Sequence, residues 1–324
     1  MRPPIYVSRR IPGRVRARLD ERFDLTVHDS ELPPPREQLL AACRGSAGIV
    51  AMLTDQVDAE VFAAAGRQLR IVANYAVGWD NVDLDAAASR GVLVTNTPDV
   101  LTETTAEFTI ALVLALLRRV AEGDRFLRAG QQWAWAPTFM SGKGVSGRVL
   151  GIVGLGRIGR EVARRAEALG MVVVYTNRSG SAGAPYPWLP LEDVLVRADV
   201  VSLHCLLTRE THHLLGRQQL RAMGPEAFLV NTARGAVVDE DALVAALREG
   251  EIAGAALDVF EREPAVPAAL LELENVLLVP HLASATRETR EAMGMLCAEA
   301  LEAVLLEDRL PANAVNSEVW EPSP

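Results

Sequence analysis

The chain has 324 residues, 49% of them apolar and 23% charged, and a formal net charge of −9. That is the make-up of a globular chain of about two domains; it excludes a disordered polymer and a general nucleic-acid binder, which would carry a basic face. Lysine Schiff-base chemistry and a Walker phosphate loop would both rest on Lys143, the single lysine, and the Walker spacing fails because Gly144 follows it.

In chain order, strands are predicted at 5–8, 25–28, 48–51, 71–73 and 92–95, with a loop at 33–35 and a short helix at 58–65. A long helix is predicted over 104–123. Thr104 and Glu107 have capping-box spacing, and the apolar middle (Phe108, Ile110, Leu112, Val113) predicts burial on all sides, between two domains or two subunits. An irregular stretch, 131–147, carries Trp133, Trp135 and Phe139. The later strands, 149–153, 172–175, 200–203, 228–231, 255–259 and 276–279, are continuous apolar runs of the kind buried on both faces of a parallel sheet. A final helix is predicted over 286–306. The alternation of strand and helix predicts an α/β fold.

Three scattered cysteines, Cys43, Cys205 and Cys297, predict no disulfide framework and a reducing, cytoplasmic setting. The opening residues have no apolar core of the secretory kind. The longest apolar run, 110–117, is far short of the ~20 residues that cross a bilayer, so no membrane association is expected.

The strongest local motif is the strand 149–153 running into Gly154-Leu155-Gly156-Arg157-Ile158-Gly159 and then a helix that stops at Gly170. Gly154 suits a tight turn, Gly156 a close approach of backbone to pyrophosphate, and Gly159 helix–strand packing, with the helix N-terminus offering amides and dipole to the phosphates. This predicts a dinucleotide cofactor. The next strand ends in Asn177-Arg178-Ser179, and no acid lies between Glu167 and Glu192 to hold a ribose 2′-hydroxyl. Arg178 offers a fork suited to a 2′-phosphate, flanked by Asn177 and Ser179 as neutral donors. The expectation is a preference for NADP(H), with NAD(H) as the alternative.

Three later strands lead to titratable residues: Arg234 in Thr232-Ala233-Arg234-Gly235, Glu263 before Pro264, and His281 in Pro280-His281-Leu282-Ala283-Ser284. In open α/β sheets ligands bind beyond the carboxyl ends of strands, so these residues are expected to converge beside the cofactor. An Arg, an acid and a His are what reduction of a 2-keto acid requires. Arg234 would grip the carboxylate and polarise the keto oxygen, His281 would donate the proton, and Glu263 would orient the imidazole and favour its charged form. His204-Cys205 and His212-His213 lack recognised ligand spacing, and no metal is expected.

The segments GIVGLGRIG (151–159), LVNTARGAVVDEDAL (229–243), GAALDVFEREP (254–264) and VPHLASAT (279–286) resemble the D-isomer-specific 2-hydroxyacid dehydrogenase family. The resemblance covers nearly the whole chain. It implies that Arg234, Glu263 and His281 are the catalytic set, with Ser284 at the substrate. Residues 73–119 and 133–154 look like the glyoxylate/hydroxypyruvate reductase branch. That branch implies backbone amides at Val77 and Gly78 for the substrate carboxylate, Met52 and Leu53 lining the pocket, and Trp135 reaching the neighbouring subunit's site. Thr105 would lie near the nicotinamide and Asp258 at its carboxamide, while Thr232, Ala233 and Cys205 join the cofactor contacts. Leu206 stands where relatives have a proline on the adenosine side, which implies a looser loop there.

The resemblance further implies a flavodoxin-like substrate domain, 1–98 with 286–324, an inserted Rossmann-type doubly wound domain, 99–285, and a homodimer. It implies NADPH-dependent reduction of glyoxylate to glycolate and hydroxypyruvate to D-glycerate. The alternatives are another D-2-hydroxyacid dehydrogenase, such as a phosphoglycerate dehydrogenase, and a nucleotide-sensing protein like the family's corepressors.

Overall fold

A computed structural model describes residues 1–321 apart from Ala182, so 322–324, the end of the expected substrate domain, lie outside the described residues. The chain divides into two compact units, one of Met1–Leu101 with Thr286–Pro324 and one of Thr102–Ala285.

In the first unit, β1 (Pro4–Val7), β2 (Asp24–Val27), β3 (Gly48–Ala51), β4 (Ile71–Asn74) and β5 (Leu93–Thr95) form a parallel sheet in the order β2-β1-β3-β4-β5. That is the flavodoxin-like order. The strands β3, β4 and β5 are buried throughout, β5 although it lies at one edge of the sheet, while β2 at the other edge alternates between exposed and half-buried. Such apolar runs need cover on both faces. The helix Ala59–Ala65 supplies some of it, capped by Asp58, which accepts from the amides of Glu60 and Val61. The C-terminal helix Arg287–Leu305 supplies more: a Cβ on Gly48 would lie 2.5 Å from Leu301, so β3 and that helix touch where only glycine fits.

In the second unit, β6 (Val149–Val153), β7 (Val172–Thr176), β8 (Val200–Leu203), β9 (Phe228–Asn231), β10 (Gly254–Leu257) and β11 (Val276–Leu278) are parallel, in the order β11-β10-β9-β8-β6-β7. The chain steps from β6 to one side and returns to the other, so the strand order reverses between β6 and β8. A doubly wound sheet opens its ligand crevice at such a reversal.

The predicted 104–123 helix is two helices, Thr102–Leu117 and Val120–Arg128, split where Arg119 turns left-handed at φ 54°. Thr104 lies within the first turn instead of capping it, so no capping box forms there. Within the single chain the first helix keeps an exposed stripe, Glu103, Glu107 and Ala111, at four-residue spacing. The segment 131–147 is largely exposed; Trp133 stacks on Phe139 at 6.2 Å between ring centres.

Candidate active site

The glycine turn after β6 fits a dinucleotide. Gly154 has φ 97°, a conformation that favours glycine, and its amide bonds to the Thr176 carbonyl at 2.9 Å. A Cβ on Gly154 would meet the Cys205 amide nitrogen at 2.7 Å, and one on Gly159 would meet the Gly154 carbonyl at 2.4 Å, whereas one on Gly156 would meet nothing within 4 Å. The turn is therefore packed from below at two glycines and open at the third, which is the cradle a pyrophosphate needs. Gly156 also leaves the helix Arg157–Ala168 without a side-chain cap, so its first amides remain available to an anion. Leu155 is buried, Ile158 half-buried and Arg157 exposed at the same turn.

Asn177 has a structural duty: its Oδ1 accepts from the Leu155 amide at 2.6 Å and fastens the glycine turn to the end of β7. Arg178 and Ser179 are exposed. An acid does reach Arg178, from a loop distant in sequence: Glu210 stands 3.7 Å from its guanidinium. The loop after β8 is tied down at Leu206. Its carbonyl accepts from the Thr211 hydroxyl at 2.6 Å, and that hydroxyl also accepts from the Thr208 amide at 2.7 Å. Burial pushes the Cys205 thiol up to about 11. Part of His204 still reaches the surface, yet its ring is desolvated enough to bring its pKa down to about 4, and it bonds to Ser202 at 2.9 Å.

At the end of β9, the buried Asn231 shapes the turn carrying Arg234: its Oδ1 accepts from the Ala233 amide at 3.0 Å and its Nδ2 donates to the Arg234 carbonyl at 2.9 Å. Arg234 Nη1 donates to the Ala233 carbonyl at 2.9 Å. Thr232 reaches back through Thr109 (3.0 Å between hydroxyls), whose hydroxyl donates to the Thr105 carbonyl at 2.8 Å. At the end of β10, the fully buried Asp258 is occupied on both oxygens, by the amides of Leu282 (2.5 Å) and Ala283 (2.9 Å), while its carbonyl accepts from the His281 amide at 2.8 Å. Burial pushes the Asp258 carboxyl up, and those two amides pull it back. Asp258 thus builds the turn that holds His281 at φ 54°.

His281 Nδ1 lies 2.9 Å from Glu263 Oε2, and Glu263 Oε1 accepts from the Phe260 amide at 3.0 Å. The carboxylate is fixed at both ends. With Nδ1 donating to it, Nε2 carries the ring's chemistry, and Nε2 has no hydrogen-bond partner among the described residues. Ser284, nearly buried, follows on the same turn. Trp135 is 81% exposed.

Met52, Leu53, Val77 and Gly78 belong to the first unit, just beyond β3 and β4. Asn81 Nδ2 bonds to the Met52 carbonyl at 3.1 Å and to Asn74 Oδ1 at 3.1 Å, tying these two loops together. Asn74 Nδ2 takes the Gly78 carbonyl at 2.9 Å and Asn96 Nδ2 takes the Val77 carbonyl at 2.8 Å. The Val77 and Gly78 amides, by contrast, have no hydrogen-bond partner among the described residues. Val77 is half-buried and Gly78 buried, and amides left open beside a strand end are available to an anion. Asp55 holds the Met52 loop by accepting from the Met52 amide at 2.7 Å while paired with Arg9 at 3.1 Å. Sequence reading missed Asn74, Asn81, Asn96, Asn231 and Asp55. All five lie at strand ends or in the loops just beyond, the place where such positioning residues belong.

Residues 110–283 match the model of the D-isomer specific 2-hydroxyacid dehydrogenase family, NAD binding domain. The chain is 50% identical to the glyoxylate reductase of Korarchaeum cryptofilum, covering 100% of this chain and 99% of that one. It is 46% identical to the glyoxylate reductase of Pyrococcus furiosus, over 98% and 97% of the two chains. Among solved structures, the NADPH-dependent glyoxylate/hydroxypyruvate reductase of Sinorhizobium meliloti, in complex with NADP and malonate, superposes with a TM-score of 0.85 at 37% identity, over 100% of this chain and 99% of that one. A glycine turn open to a pyrophosphate, an imidazole fixed by a carboxylate and an arginine two strands from that imidazole thus occur in a chain that, on this likeness, belongs to the D-isomer-specific 2-hydroxyacid dehydrogenases, oxidoreductases that work with a nicotinamide dinucleotide.

Proposed function

We propose that the protein reduces glyoxylate to glycolate and hydroxypyruvate to D-glycerate, with NADPH as the preferred reductant. The observation that carries this reading is the His281–Glu263 pair at 2.9 Å, with Nε2 left open to donate a proton. In the proposed reaction Arg234 grips the substrate carboxylate and polarises the keto oxygen, because a charge-assisted bond strengthens as negative charge grows on that oxygen. The amides of Val77 and Gly78 are further donors to the carboxylate. Nε2 of protonated His281 gives its proton to the oxygen, and the neutral ring then regains a proton from water. Glu263 keeps the ring from turning and balances its charge. The bound nicotinamide supplies the hydride, whose electron pair becomes the new C–H bond. The activities named for the K. cryptofilum and S. meliloti relatives support the choice of substrates.

Support for NADPH comes from Arg178, whose side chain is 78% exposed and free to turn toward a 2′-phosphate. Glu210 competes for it. A homodimer is proposed on the exposed aromatic segment, where Trp133 and Trp135 are 58% and 81% exposed. The test is a steady-state panel of small keto acids with NADPH and NADH. Oxidation of NADPH by glyoxylate or hydroxypyruvate, at higher kcat/KM than with NADH, is expected; no turnover with any keto acid favours the sensing alternative, and a preference for NADH overturns the cofactor assignment. Glu210→Gln should raise the NADPH-to-NADH ratio modestly.

A further inference from the structure

Outside the site described above, His212, His213 and Glu261 bring their ligand atoms within 4.8 Å of one another. We propose that these three side chains form a binding site for a divalent transition-metal ion, zinc by ligand chemistry, that staples the loop after β8 to the loop carrying Glu263. The set is two imidazoles and one carboxylate, the donors that zinc accepts in three-ligand sites with water in the fourth position. His213 Nε2 and Glu261 Oε1 are 3.3 Å apart. With metal–ligand bonds of roughly 2.0–2.2 Å, that is about the edge of a tetrahedron of donors. The two imidazole rings stack at 4.0 Å with 30° between planes, so the exposed His212 has to turn out of the stack to bring its nitrogen to the same ion as His213 and Glu261.

A second observation points to a ligand. His213 Nε2 is buried and has no hydrogen-bond partner among the described residues, since its approach to Glu261 lacks hydrogen-bond geometry. An orphaned buried nitrogen is costly unless something occupies its lone pair. His213 also holds a left-handed backbone at φ 51°, kept there by its amide on the Ala236 carbonyl at 2.8 Å. Glu261 is held as firmly: its amide donates to Glu240 Oε1 at 2.8 Å, and its backbone lies so close to Gly235 that a Cβ there would fall 2.2 Å from the Glu261 nitrogen. Both ligands therefore rest on the stretch 235–240, which makes the site preorganised. That stretch follows Arg234 directly, and Glu261 is two residues from Glu263, so an ion here would stiffen the backbone on which two proposed catalytic groups stand.

The experiment is a Zn²⁺ titration of the whole chelator-treated protein against a chromophoric competitor, with His212→Ala, Glu261→Gln and Cys205→Ser variants. His212 is exposed and Glu261→Gln keeps shape, so both variants should fold. One Zn²⁺ per chain is expected for the wild type and Cys205→Ser. Outer partners of metal ligands are worth roughly 10–100-fold in affinity, so losing a ligand in His212→Ala or Glu261→Gln should cost at least that. The thermal midpoint should rise with Zn²⁺ in the wild type and stay put in those two variants. Absence of stoichiometric binding overturns the proposal. So does binding that survives both variants, or that disappears in Cys205→Ser.

Discussion

In the second unit the proposed reactive groups are side chains, Arg234, Glu263 and His281, each in a run of residues that declares itself in the sequence. In the first unit they are main-chain amides, Val77 and Gly78, whose availability depends on asparagines occupying their carbonyls. The comparison teaches that one protein can build two kinds of donor with different legibility. A side chain's chemistry travels with its letter; an amide's depends on what has been done to the neighbouring peptide.

The sharpest way to break this division is His281→Ala. Loss of a positioned acid should lower kcat by roughly 10²–10⁴-fold while cofactor binding persists, as read by steady-state kinetics and fluorescence titration. Near-normal kcat removes His281 from the mechanism. Next comes His204, whose sequence context offers no ligand spacing. Its ring accepts a proton in the native state only near pH 4, against about 6.5 when unfolded, so between those values the unfolded chain binds more protons and stability falls as pH drops. The loss approaches about 3 kcal/mol at full titration. Urea midpoints from pH 7 to 4.5 should decline more steeply in the wild type than in His204→Asn.

Arg234→Ala should cost roughly 1.5–3 kcal/mol of charge-assisted bonding, seen mainly as a raised KM for the keto acid. The smallest effect tests the main-chain half of the comparison. Asn74→Ala and Asn96→Ala each free one carbonyl, and each should raise KM by about fivefold, the worth of roughly 1 kcal/mol, with kcat little changed. If neither variant alters KM, the Val77 and Gly78 amides do not hold the substrate.

Strands of the second unit were readable within a residue or two because a strand covered on both faces must be apolar throughout: β6, β8 and β9 occupy the predicted spans. The split in the 104–123 helix was not readable. Arg118 and Arg119 are good helix formers with no Gly or Pro beside them, and the break is a matter of tertiary packing. The His281–Glu263 pair was legible from motif, whereas Glu210 beside Arg178 and Glu261 beside His213 were not, since each joins loops that follow different strands.

The first unit is assembled from both ends of the polypeptide, with Leu301 of the last helix seated on Gly48 of β3. A ribosome therefore releases everything the second unit needs before it has made the helix that covers the first. The N-terminal hundred residues must wait, with one flank of their sheet wet, until the final segment emerges. Shortening the C-terminus should thus harm the beginning of the protein more than its middle.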